Sequence, residues 1–152
     1  MKLKLMPGCL AIALMQITPS NAQSVSPAGH YAKKRDGRGE MRVEKTAEGW
    51  RVYVTAGGIP RGAATPADCT LISDGEIKGN TFKGEIKYQP AADNDKPAPE
   101  NAVDPGKKMT ITFAPQSATV PAAADRNKSS DLVSLCGDRS GIFGRYTRDR
   151  KR

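Results

Sequence analysis

Few side chains in this sequence have the types and spacing that chemistry requires. His30 is the single histidine of the chain. It stands beside Tyr31 near the start of the mature chain, with no Ser or Cys nucleophile signature to serve. Glu76 and Glu85 fall in two near-copies, Gly75-Glu76-Ile77-Lys78 and Gly84-Glu85-Ile86-Lys87. Paired carboxylates are what glycosidic acid/base chemistry needs. Here, though, each is followed by Ile-Lys in an alternating run, the pattern of a solvated strand face. No His/Cys spacing of ligand type is present, so neither a metal site nor a cofactor is expected. The chain is read as non-enzymatic.

Cysteine supplies the remaining chemistry. The chain opens with Lys2 and Lys4, an apolar run through Cys9 to Met15, and Ser20-Asn21-Ala22. That is the layout of a secretory signal peptide over residues 1–22, cleaved before Gln23. The apolar run is shorter than the roughly 20 residues that span a bilayer, so no transmembrane span is expected. Met6-Pro7-Gly8-Cys9 has a faint lipoprotein-box character, and lipidation at Cys9 is the alternative. The box would however have to follow the apolar stretch, which it precedes. Export predicts a periplasmic protein and leaves Cys69 and Cys136, an even pair in an oxidising compartment. They are read as a structural disulfide rather than a free or reactive pair. The bridge would close a separation of 67 residues, worth about 4 kcal/mol in the chain-entropy model.

The elements that must position these groups are strands. Residues 23–28 read as a flexible N-terminal segment, and Gly29 to Lys33 as the first strand. Lys34 to Gly39 is a charged turn with two glycines. Glu40 to Thr46 and Trp50 to Ala56 alternate strictly and are joined by Ala47-Glu48-Gly49, an antiparallel hairpin with Met41, Val43, Trp50, Val52, Val54 and Ala56 inward. Gly57 to Pro66 is a loop, and Asp68 to Ser73 a short strand. The near-copies around Ile77 and Ile86 form a second meander, with Ile77, Phe82, Ile86 and Tyr88 on its apolar side. Gln89 to Lys107 is Pro-rich and lacks apolar periodicity, so it reads as a long exposed loop. Lys108 to Phe113 alternates cleanly with Met109, Ile111 and Phe113 inward. A weaker strand falls at Ala118 to Val120. Asp131 to Leu135 leads into Cys136, and Ile142 to Thr147 is the closing strand. No helical period follows the signal. About eight short strands with Gly/Pro turns predict an all-β fold, a small antiparallel barrel over residues 29–147 with one disulfide. Closure removes exposed sheet edges. A basic tail, residues 148–152, ends the chain.

Without residues 1–22 the chain keeps 22 Lys and Arg against 16 Asp and Glu, a balance of +6. Such a balance favours weak contact with anionic envelope polymers, in particular through the tail. Export argues against nucleic acid as a partner.

The closing stretch, Leu135-Cys136-Gly137-Asp138-Arg139-Ser140-Gly141-Ile142-Phe143-Gly144-Arg145-Tyr146, joins a cysteine, a Gly/Ser turn and an apolar run. Together with Gly29-His30-Tyr31, Gly49-Trp50-Arg51-Val52 and Cys69, this layout resembles the bacterial periplasmic lysozyme inhibitors. Among these it looks most like the periplasmic hydrolase inhibitors of alphaproteobacteria. Inhibitors of c-type lysozyme in that group carry a Ser-Gly-x-x-Tyr loop that enters the enzyme cleft. Ser140-Gly141 matches the start of that loop, Phe143 stands at the nearest position to its tyrosine, and Tyr146 follows two residues late.

The resemblance implies a non-enzymatic inhibitor or modulator of lysozyme or an endogenous muramidase, with a presented loop formed by Asp138, Arg139, Ser140, Gly141, Phe143 and Tyr146. A basic inhibitor is an electrostatic match for an acidic or endogenous muramidase rather than a strongly basic lysozyme. The alternatives are a periplasmic barrel that holds a small or lipid-like ligand and an envelope-associated structural protein.

Overall fold

A computed structural model describes residues 26–33, 38–57, 69–90, 97–122, 131–136 and 141–149. The segment expected to be a signal peptide, with Cys9, the loop after Gly57 and most of the loop after Pro121 lie outside the described residues, as do Asp138, Arg139, Ser140 and the end of the basic tail.

Eight strands form a closed antiparallel barrel in sequence order. They are β1 (Gly29–Lys33), β2 (Arg38–Lys45), β3 (Trp50–Gly57), β4 (Cys69–Lys78), β5 (Thr81–Tyr88), β6 (Lys108–Ala114), β7 (Ser117–Val120) and β8 (Gly144–Arg148). The β2–β3 hairpin pairs from Lys45↔Trp50 to Arg38↔Gly57, as its alternation predicts. Closure comes from β1 against β8, through Tyr31↔Arg148 and Ala32↔Thr147. Strand-to-strand neighbours throughout leave no unpaired edge.

The inward residues converge in one core. Met41, Val43, Val52, Val54, Leu71, Phe82, Ile86, Met109, Ile111 and Phe113 are all buried in it. Tyr31 and Tyr146 are the largest fully buried side chains. An eight-stranded barrel has an interior just wide enough for side chains to fill, and here they fill it. Trp50 and Ile77 are only partly buried and pack on the margin of the core. Tyr88 is half-buried, beyond the register shift between Ile72 and Ser73 that breaks the alternation of β4 against β5.

Four local expectations are corrected. The strand expected at 68–73 and the near-copy expected at 75–79 merge into one strand, β4 (Cys69–Lys78), that runs straight through Gly75; Asp68 lies outside the described residues and Gly79 belongs to the turn. Gly75 pairs with Gly84, and a Cβ on Gly75 would stand 2.3 Å from the Lys83 carbonyl oxygen. Glycine here permits a close strand approach rather than ending a strand. Gly39 belongs to β2 rather than to the charged turn, and a Cβ there would meet the Tyr146 ring at 3.0 Å. The C-terminal half of the 89–107 loop is anchored: it holds a 3-10 turn at Pro99–Asn101, Gln89 N donates to Asn101 O, and Val103 N donates to Lys87 O. Finally, Asp131–Cys136 is a short helix, α1, with Leu132 and Cys136 buried on one side.

Candidate functional site

The order of the strands sorts the connections by end. The turns 46–49, 79–80 and 115–116 lie at one end of the barrel, with the start of β1 and the end of β8. The strand ends joined by the connections 34–37, 58–68, 89–107 and 121–143, which include the three longest in sequence, lie at the other. Binding groups concentrate on loops held by a rigid scaffold, so the long-loop end is the candidate site.

Helix α1 is fastened across this end. Cys136 is bonded to Cys69 at the start of β4, with their Cα atoms 5.4 Å apart, an ordinary disulfide span. Gln89 Nε2 donates to the Leu135 carbonyl at 2.7 Å. The backbone N of Lys108 donates to Asp131 Oδ2 at 2.7 Å, and Lys107 Nζ lies 3.6 Å from Asp131 Oδ1. A six-residue helix has little intrinsic stability. These tertiary bonds and the two buried side chains are what hold it.

On the far side of the segment 137–140, three successive backbone carbonyls are held by buried side chains. Lys33, only 8% exposed, donates through Nζ to Gly141 O at 2.9 Å and to Phe143 O at 2.5 Å. The Tyr146 hydroxyl donates to Ile142 O, between them, at 2.8 Å. Gly141 and Gly144 have φ of +70° and +112°, a region that side-chain-bearing residues rarely adopt. A Cβ on Gly144 would also crowd Lys33 Nζ at 3.3 Å. Burial pushes the Tyr146 phenol well above its ordinary pKa, so it stays a neutral donor.

The residues singled out in the sequence therefore have different fates. Asp138, Arg139 and Ser140 lie outside the described residues. Gly141 and the partly buried Phe143 sit at the long-loop end, the latter packed against the core. Tyr146 is corrected: it is fully buried, and it supports the loop from inside rather than presenting a side chain. The reason is parity, because Tyr146 occupies an inward position of β8 two residues from Gly144. His30 is exposed on β1. Glu76 and Glu85 face outward as ion pairs, Glu76 with Lys78 at 2.9 Å and Glu85 with Lys87 at 2.5 Å. The hydrogen bond from Lys87, and then that from Gly106 N, hold the Glu85 carboxyl below its ordinary pKa. Lys33 was missed by the sequence reading. Its only local signal is that it shares the parity of inward Tyr31.

Among the described residues no group of three or more His, Cys, Asp or Glu is placed to hold a metal ion, and no helix is long and apolar enough to cross a membrane. No protein-family model, curated protein or solved structure matches this chain.

Proposed function

We propose that this protein is a non-enzymatic, exported inhibitor or modulator of a peptidoglycan-cleaving muramidase, acting sterically through the segment from Asp138 to Phe143. The observation that carries the reading is the double anchorage of that segment. Cys136 is tied to β4 on one side, and the Gly141, Ile142 and Phe143 carbonyls are tied to Lys33 and Tyr146 on the other. Anchors of this kind reduce the ordering cost that binding would otherwise incur.

The charge distribution supports the same end of the barrel. The four connections there carry eight Lys or Arg and nine Asp or Glu, a balance of −1 within a chain of +6 after residue 22. The strand walls, the short turns and the tail together therefore hold the remaining +7. A nearly neutral docking end avoids the repulsion that the overall charge would impose on a basic enzyme.

A ligand carried inside the barrel finds no support, because the interior is occupied by its own core. The test is turnover of purified cell walls by a panel of lysozymes and native muramidases. Inhibition of at least one of them, lost on replacing Arg139 and Ser140 by alanine, is the expected result. A panel with no inhibited member would refute the proposal.

A further inference from the structure

The outer faces of β4, β5 and β6 carry a second pattern that the loop end does not use. Register places Asp74 beside Glu85 and Glu76 beside Lys83. It also places Glu85 beside Lys108 and Lys83 beside Thr110. With Lys78 opposite Thr81, Lys78, Lys83 and Lys108 fall on one diagonal across the three strands. Diagonal neighbours in antiparallel sheets are about 7–8 Å apart, so the lysines make a stepped stripe. On one side of the stripe stand Asp74, Glu76 and Glu85; on the other stand Thr81 and Thr110. All of these line a single open groove of about 800 Å³, a volume in the range of ligand sites.

The carboxylates on the acidic side already have partners. Asp74 takes a two-pronged bond from Arg51, at 2.6 and 2.7 Å, and Glu85 takes Lys87 and the Gly106 N–H. Glu76 holds Lys78 in a highly exposed pair, a kind worth little and readily exchanged. Among the described residues the Lys83 and Lys108 side chains form no ion pair. The groove thus offers the Lys83 and Lys108 ammonium groups one step apart, with Lys78 next in line but shared with Glu76, and threonine hydroxyls alongside them.

We propose that this groove binds an anionic oligosaccharide, with carboxylate or other acidic groups on the lysine stripe and sugar hydroxyls at Thr81 and Thr110. The site lies on the outer wall of the barrel, meeting the long-loop end only at Gly106 and Lys108, and does not depend on the muramidase reading. The test is titration calorimetry of the purified full chain with hexagalacturonate, uncharged maltohexaose and hexaglutamate. Hexagalacturonate is expected to bind, maltohexaose to bind far more weakly, and affinity to fall as salt rises from about 0.05 to about 0.5 M. The double variant Lys83→Gln/Lys108→Gln should weaken binding about tenfold, two exposed charge contacts being removed. The variant Thr81→Val/Thr110→Val should weaken hexagalacturonate but not hexaglutamate. All four side chains belong to the outer face, so the melting temperature should stay near that of the parent. Absence of hexagalacturonate binding, or binding that the lysine variant leaves unchanged, would overturn the proposal. Tighter binding of hexaglutamate would overturn it too, and would assign the groove to acidic peptides.

Discussion

Replacing Lys33 by methionine keeps the apolar stem in the wall of the barrel and deletes only the Nζ donor. Among the described residues two hydrogen bonds are lost, to Gly141 O and Phe143 O. A net hydrogen bond contributes about 1 kcal/mol, rising to about 1.5–3 kcal/mol when the donor is charged. The acceptors sit in half-buried residues, so water can partly replace the lost donor. The expected loss is therefore about 2–4 kcal/mol, concentrated on the segment that precedes β8. Amide exchange read by NMR at Ile142, Phe143 and Gly144 should accelerate by at least about thirtyfold. The turn-side half of the β2–β3 hairpin, from Val43↔Val52 to Lys45↔Trp50, lies at the opposite end from the lock and should keep its protection relative to global unfolding. Muramidase inhibition should weaken by about tenfold or more, since the segment must now be ordered on binding. Unchanged exchange at residues 142–144 would refute the lock itself. Faster exchange with undiminished inhibition would leave the lock standing and refute its link to the proposed function.

Three further outcomes follow from the same geometry. Reduction of the disulfide, or Cys69→Ser/Cys136→Ser, should lower unfolding free energy by about 2–5 kcal/mol in denaturant titration, with α1 the first element to lose protection. Gly75→Ala should cost about 1–3 kcal/mol or more, because its Cβ would stand 2.3 Å from a backbone oxygen with no room to yield; an unchanged melting temperature would refute the close approach. Burial raises the Tyr146 phenol above its ordinary value. Its contribution to stability is therefore fully present below the unfolded tyrosine value of about 10 and declines as pH rises toward the folded value. Denaturation midpoints should accordingly fall at alkaline pH, and Tyr146→Phe should flatten that decline while costing about 1 kcal/mol near neutrality.

How much was legible varied with the range of the interactions involved. The β2–β3 hairpin and β6 could be read residue by residue, because a period of two is written locally in which side chains are apolar. The disulfide was readable from the even pair, Cys69 and Cys136, left after the expected signal segment. Gly75 misled, since a glycine that permits two strands to touch looks in one dimension like a glycine that ends a strand. Helix α1 was not readable at all: six residues are too few to show a helical period, and its stability comes from Cys69, Gln89 and the Lys108 amide. Tyr146 was placed in a presented loop because the spelling of a motif says nothing about which face of a strand a residue takes.

By itself, then, the sequence determined the strand periodicity, the turn chemistry and the cysteine pair, and these suffice for an all-β barrel with one bridge. Only the tertiary structure decided what the barrel brings together. Lys33 meets Gly141 and Phe143 across more than a hundred residues, and Lys78, Lys83 and Lys108 form a diagonal only once three strands take their register. The physical reason is that alternation sets the face a side chain takes within its own strand, whereas its neighbours depend on inter-strand register and closure, which are properties of the whole sheet.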